Sequence, residues 1–315
     1  MAPPANRTRR PPDRALRHTG DVEYRIALAQ VAPRLGDLDA NLELAADRVR
    51  AAATEGAALL LLPELALTGY LLQDLVPDVA LASDDPRLLG LGDGAPGMLV
   101  AVGFVEETAE HRYCNSVALL RDGSLVGLHR KVYLPTYGLF DEGRFTRPGD
   151  RIRTHDAGAP IGRIGLSVCE DFWHPSLPMV QALDGAALLV NVAAGPSRAP
   201  GGPAGMAAIG GWHKMQDTYA LLGTVPLAFC NRVGNEEGLT FWGGSRIVAA
   251  DGSTVVQAPL WEEALVVGTL SIDDLRMQRY GLPLLADERV ELVRRELDRI
   301  IAERAGIEAP PEPEA

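Results

Sequence analysis

The sequence predicts an α/β fold, a layered sandwich with mixed sheets and not a purely parallel, doubly wound sheet. Three observations predict it. Short apolar runs at 57–62, 161–168 and 186–192 have the length of strands buried on both faces. In the first half such runs alternate with stretches whose apolar residues recur at helical spacing. Further along, Asp122-Gly123 and Asp251-Gly252 each sit between apolar stretches and mark hairpins, which set antiparallel strands beside parallel ones.

Taken in order, 24–31 reads as a strand. A helix follows over 38–53, with Leu42, Leu44, Ala45, Val49 and Ala52 on one side and Asp37 or Asp39 as its cap. The run 57–62 is a strand that stops at Pro63-Glu64, and 71–81 is a short helix or loop. The stretch 98–105 is a strand, and 115–121 with 124–132 form the first hairpin. A Gly-, Pro- and aromatic-rich loop covers 134–150. The strand 161–168 ends at Cys169, 175–183 is helical, and 186–192 is a strand. A Gly/Pro-rich loop at 195–205 leads into a helix over 206–222 and a strand over 225–230. The second hairpin spans 239–256, then come a strand at 264–272 and an amphipathic helix at 288–303. No internal repeat and no linker stand out, so the reading is one domain over 23–306, with disordered tails at 1–22 and 307–315.

Composition narrows the class. Hydrophobic residues make up 47% of 315, enough for a large core. A net charge of −12 argues against binding nucleic acid through a broad basic surface. No apolar run approaches the ~18 residues of a membrane-spanning helix, and the Arg- and Pro-rich start lacks the apolar core of a secretory signal. Three cysteines, Cys114, Cys169 and Cys230, form no C-x-x-C pair, which fits a reducing, cytoplasmic setting better than a disulfide framework. The six histidines show no metal-ligand spacing, and no P-loop or dinucleotide fingerprint occurs, so neither metal nor cofactor is expected. Of the 30 Lys and Arg residues only Lys131 and Lys214 are lysines, which makes each worth a functional question.

Three polar residues stand where buried strands end: Glu64, Lys131 and Cys169. Strand ends are rigid supports opening onto loops. Each alone has a plain structural explanation as a cap, a surface lysine or a small core cysteine. Together they make a nucleophile, a base and a cation. A sharp turn after Cys169 would lift its thiol from the core and aim backbone N–H groups at an oxyanion. A nearby lysine would favour the thiolate, and a carboxylate would shuttle protons. The run Gly165-Leu166-Ser167-Val168-Cys169 imitates a serine elbow, but that motif needs Gly where Cys169 stands.

These residues lie in blocks that resemble the nitrilase superfamily of carbon–nitrogen hydrolases. Pro63-Glu64-Leu65-Ala66-Leu67-Thr68-Gly69-Tyr70 is similar to its first catalytic block. His129-Arg130-Lys131-Val132-Tyr133-Leu134-Pro135, with Tyr137-Gly138 and Phe140-Asp141-Glu142, is similar to the second. Val168-Cys169-Glu170-Asp171 with Trp173 and Pro175 is similar to the nucleophile block, and weaker matches follow at Asn191, 231–234 and 241–245. The wording most resembles the glutamine-hydrolysing domain of glutamine-dependent NAD synthetases. A Ser-Gly-Gly ATP-pyrophosphatase loop is missing, and Trp242 stands where that subgroup often has Asp. The expectation is therefore a free-standing amidase of that lineage.

The resemblance implies a four-layer αββα sandwich, a homodimer or higher homo-oligomer, and a set of roles. Cys169 would attack a carbonyl, and Glu64 would move the protons. Lys131 and a backbone N–H near Glu170 would hold the oxyanion. Glu142 would position Lys131 or the substrate, unless it only pairs with Arg144. Tyr137 and Trp173 would line the pocket or merely pack, and Asn191 and Glu170 would support the site. The implied substrate is a small linear amide, with a nitrile, an N-carbamoyl compound, or glutamine hydrolysed for a separate synthetase chain as alternatives.

Overall fold

The computed structural model describes residues 22–197 and 202–306. The expected tails at 1–22 and 307–315 lie, but for Val22, outside the described residues. The first half contributes β1 (Glu23–Gln30), β2 (Leu59–Leu61), β3 (Leu99–Glu107), β4 (Tyr113–Arg121) and β5 (Ser124–Arg130). The second contributes β6 (Thr154–Asp156), β7 (Arg163–Val168), β8 (Leu188–Ala193), β9 (Pro196–Ser197) and β10 (Leu227–Asn231). It continues with β11 (Val233–Glu236), β12 (Leu239–Trp242), β13 (Arg246–Val248), β14 (Thr254–Gln257) and β15 (Ala264–Ser271).

One six-stranded sheet has the order β15-β1-β2-β3-β4-β5 and the other β14-β13-β10-β8-β7-β6; a small third sheet runs β11-β12-β9. In the first sheet β1, β2 and β3 are parallel, and β15, β4 and β5 are antiparallel to their neighbours. The second repeats that pattern, with β7, β8 and β10 parallel and β6, β13 and β14 antiparallel.

Period-two alternation decides which side of each sheet faces what. Ile26, Leu28, Leu59 and Leu61 point from the first sheet into a core shared with Ile164, Leu166, Val168, Leu188 and Val190 of the second. The alternate residues Ala27, Ala29, Leu60 and Leu62 face the helix Leu38–Thr54 through its Ala45, Val49 and Ala52. On the far side of the second sheet, Leu189, Leu227 and Phe229 pack on Ala182, Ile209, Trp212 and Ala220 of two helices, Ser176–Leu183 and Pro203–Gly223. Helix, sheet, sheet, helix: this is the four-layer sandwich. Each large side chain sealed in these cores contributes about 1.5–3 kcal/mol over leaving it in water. Asp37 caps the first helix by accepting the Ala40 N–H at 3.1 Å.

Several elements differ from the sequence reading. The stretch 239–256 is not one hairpin: β12 pairs with β11 and β9, and only β13 and β14 pair across the Asp251 turn. The helix expected from 206 begins at Pro203, a residue suited to a first helical turn. A helix over Ile272–Gly281, capped by Ser271, follows β15 where none was expected; its weakly patterned, mostly polar surface gave no periodic signal. The loop over 134–150 contains one helical turn, Glu142–Phe145. No helix among the described residues is long and apolar enough to cross a membrane.

One contact in the first sheet positions the site directly. A Cβ on Gly103 of β3 would fall 2.5 Å from Pro63 O, 2.6 Å from Leu65 N and 2.7 Å from Glu64 Cα. Those are backbone atoms, so nothing flexible can yield. Gly103→Ala is expected to lower stability by about 1–3 kcal/mol in denaturant titration, as overpacking does. It should also displace Glu64. Unchanged stability would show that 63–65 is not seated on β3 in this way.

Candidate active site

The three strand-end residues come together between the sheets. Glu64 follows β2, Lys131 follows β5 and Cys169 follows β7. β4 and β5 pack against β7, which brings the two sheets' strand ends to one place.

Lys131 is 1% exposed, and its backbone is fixed on both sides: its N–H donates to Asn115 O at 2.8 Å and its carbonyl accepts the Gly149 N–H at 2.8 Å. Its ammonium donates to Glu64 Oε1 at 2.8 Å and to Glu142 Oε1 and Oε2 at 2.7 and 2.9 Å. Glu64 is fully buried and also accepts from Asn115 Nδ2 at 2.7 Å and from the Ala194 N–H at 2.7 Å. Glu142 also accepts the Tyr70 hydroxyl at 2.6 Å. Glu142 thus turns to Lys131, while the Arg144 guanidinium lies over the Phe145 ring.

Cys169 is half-buried and opens a short 3-10 turn, Cys169–Trp173, with φ +45°. Leu65, next to Glu64, has φ +49°. A side chain in the left-handed region is strained, and such residues cluster at functional sites. Burial pushes the Cys169 thiol well above its ordinary value, and the Glu64 carboxylate pushes it further, against the pull of Lys131. Lys131 thus pulls the thiol in the expected direction, while burial and the two carboxylates pull it the other way. Burial also acts against the charge on Lys131, but Glu142 and Glu64 more than compensate and hold it well above the usual lysine range. Burial raises Glu142, with Lys131 opposing and Glu64 adding.

The supporting residues divide. The Tyr137 hydroxyl donates to Glu170 Oε2 at 2.9 Å, so these two form one unit, although Tyr137 remains 54% exposed. Burial raises the Glu170 carboxyl, and the bond from Tyr137 opposes that. Trp173 is 42% exposed and packs edge-on against Trp212. Asn191 is not at the site. It is sealed in the second sheet, where its amide donates to Ser167 Oγ at 3.0 Å and braces β8 against β7.

Residues that the sequence did not single out complete the arrangement. Asn115, Tyr70 and the Ala194 N–H occupy lone pairs of the two carboxylates. Asp171, two residues beyond Cys169, accepts four hydrogen bonds. Glu236 of β11 accepts the Tyr70 and Leu71 N–H groups at 2.8 and 2.6 Å and is itself paired to buried Arg232 at 2.6 Å. Asn115 offered a signal as a polar residue in a predicted buried strand, and Tyr70, Asp171 and Arg232 lay in the matched blocks without an assigned role.

Two cavities lie near the cluster; the smaller reaches it through Glu142, the larger is lined by neighbours of Lys131 and Cys169, and neither is lined by Cys169 itself. One of about 260 Å³ is lined by Tyr70, Asn115, Phe140, Glu142 and Phe145, and one of about 460 Å³ by Tyr133, Tyr137, Glu170 and His174. Among the described residues no group of His, Cys, Asp and Glu side chains is arranged to hold a metal ion.

Residues 25–280 match the family model described as carbon-nitrogen hydrolase. The chain is 32% identical over 259 residues to a glutamine-dependent NAD(+) synthetase of Thermotoga maritima; the match covers 79% of this chain and 42% of that protein. It therefore spans less than half of that relative. It is 29% identical over 275 residues to an N-carbamoylputrescine amidase of Solanum lycopersicum, covering 81% of this chain and 89% of that one. The crystal structure of a carbon-nitrogen hydrolase from Helicobacter pylori superposes with a TM-score of 0.80 at 25% identity, covering 88% of this chain and 99% of that one.

The opposing pulls on Cys169 give a direct test. Glu64→Gln removes a neighbouring negative charge, so thiol reactivity towards methyl methanethiosulfonate should set in at lower pH than in the wild type. Lys131→Met should move the onset to higher pH. Stopped-flow rates across a pH series check both, and a shift in the reverse sense for either variant overturns the electrostatic account.

Proposed function

Because the chain belongs to the carbon–nitrogen hydrolase family, we propose that it cleaves the C–N bond of a small linear amide through a thioester on Cys169. The observation that carries this reading is the Lys131 ammonium held between the Glu64 and Glu142 carboxylates, with the Cys169 thiol in the same buried cluster. That is a base, a cation and a nucleophile on rigid strand ends.

The Cys169 sulfur attacks the carbonyl carbon as its proton passes to Glu64. Negative charge moves to the carbonyl oxygen, where Lys131 and a backbone N–H near Glu170 stabilise it. The tetrahedral centre collapses, the C–N bond breaks, and Glu64 returns the proton to the departing nitrogen. Ammonia or an amine leaves and the acyl group stays on sulfur. Glu64 then takes a proton from water as the water attacks the thioester; the carboxylic acid is released and the proton ends on the thiol. Glu142, held by Tyr70, keeps the ammonium aimed at the reacting oxygen.

Two narrower readings each have an observation in favour. The likeness to glutamine-dependent NAD(+) synthetases favours glutamine as the amide, with the ammonia passed to a separate synthetase chain. The near-full-length match to N-carbamoylputrescine amidases favours an N-carbamoyl amine. Ammonia release from linear amides, glutamine, N-carbamoyl amines and nitriles separates them. The glutaminase reading also requires that turnover rise when a synthetase chain is added; no response at any ratio counts against it. On whichever substrate turns over, Cys169→Ala should lower kcat by a factor on the order of 10⁴ or more. Rapid-quench intact mass should show the wild type, and not the variant, carrying the acyl group. A Cys169→Ala protein turning over at the wild-type rate would falsify the mechanism.

A further inference from the structure

On the proposed path Cys169 and Lys131 must meet one substrate carbonyl, yet they are carried by different sheets, β7 in the second and β5 in the first. Asp171 is where the two are tied. Its side chain is fully buried. Oδ2 accepts the Val168 N–H at 2.9 Å and faces His129 Nε2 at 2.8 Å. Oδ1 accepts the Val132 and Tyr133 N–H groups at 3.0 Å each. One carboxylate therefore grips the residue before Cys169 and brackets Lys131 from both sides in the chain. With Oδ2 accepting, His129 donates to it through Nε2. The adjoining Glu170 bonds to Tyr137 instead.

We propose that Asp171 is a positioning residue that sets the separation of the Cys169 sulfur and the Lys131 ammonium by clamping the nucleophile turn to the end of β5. It spends its acceptors on four protein donors, so it acts through the residues it holds and not on substrate. The inference rests on the hydrolase reading for its kinetic consequence, but its geometric consequence is independent of any substrate.

Asp171→Asn keeps the size of the side chain while turning one acceptor into a donor that faces donors. A misplacement of about 1 Å should lower kcat by roughly 100-fold, with KM within about threefold of the wild type. The second readout is the pH at which the Cys169 thiol becomes reactive towards methyl methanethiosulfonate. Merely removing the negative charge of Asp171 would move that onset to lower pH. Drawing Lys131 away from the sulfur moves it to higher pH, which is the result expected. His129→Asn, which removes one of the four bonds, should give a smaller change in the same direction and serves if the first variant does not fold. An onset that moves to lower pH or stays put, or a kcat within threefold of the wild type, overturns the proposal. If the wild type turns over no amide, nitrile or N-carbamoyl compound, the reading of function fails, and the thiol onset still decides this one.

Discussion

One ammonium shared between two carboxylates in a largely buried site is the constraint on which the rest depends. Lys131 and Glu64 are both buried, with Glu142 beside them. Taking such groups out of water costs several kcal/mol per ion, repaid only if geometry is good and the remaining lone pairs and protons find partners. Here they do. Glu64 takes Lys131 and Asn115 on one oxygen and Ala194 on the other, while Glu142 takes Lys131 on both and Tyr70 on one. The fold can be read as the device that delivers these partners. β4 brings Asn115, the end of β8 brings Ala194, the loop after β2 brings Tyr70, and the turn Glu142–Phe145 brings the second carboxylate.

The partners are themselves held, and the holding reaches across the molecule. Tyr70 is aimed at Glu142 because Glu236 accepts two successive backbone N–H groups at Tyr70 and Leu71. Glu236 is neutralised by Arg232, whose guanidinium lies 4.1 Å over the Phe241 ring. A buried pair of this kind adds little net stability, but losing one partner leaves an uncompensated charge. The small third sheet thus serves the site between the two large ones; Arg232 and Phe241 fell in the weaker motif matches at 231–234 and 241–245, and Glu236 lay outside them.

What was legible in the sequence is what local chemistry writes there. Runs such as Leu59–Leu61 and Leu188–Ala193 are apolar because both of their faces are covered, and that shows without a structure. Glu64, Lys131 and Cys169 were visible because polar groups at the ends of such runs are out of place. The roles of Asp171, Tyr70 and Glu236 were not legible, because each depends on hydrogen-bond partners 39, 72 or 166 residues away that only the fold brings near. The repeated pairing pattern of the two large sheets was invisible for a related reason: it lies in strand order and direction, while the buried side chains are interchangeable apolar ones. Asn191 misled in the opposite way, a polar residue in a buried strand that serves the sheet and not the site.

Burial and the two carboxylates act against a thiolate at Cys169, and that bears on how the charges at the site are arranged. The cluster holds two carboxylates and one ammonium around the Cys169 sulfur. On the proposed path the thiol proton neutralises Glu64 as charge appears on the carbonyl oxygen, so the ammonium always faces Glu142 and one further anion. The net charge enclosed by the protein does not change during bond formation, and none has to be drawn in from water. A preformed thiolate would have added a third anion to the resting site at low local dielectric, where like charges repel strongly. On the proposed path, passing the thiol proton to Glu64 as the sulfur attacks avoids that third anion. It also explains why the base, the cation and its second carboxylate are joined by direct hydrogen bonds instead of being spread around the pocket.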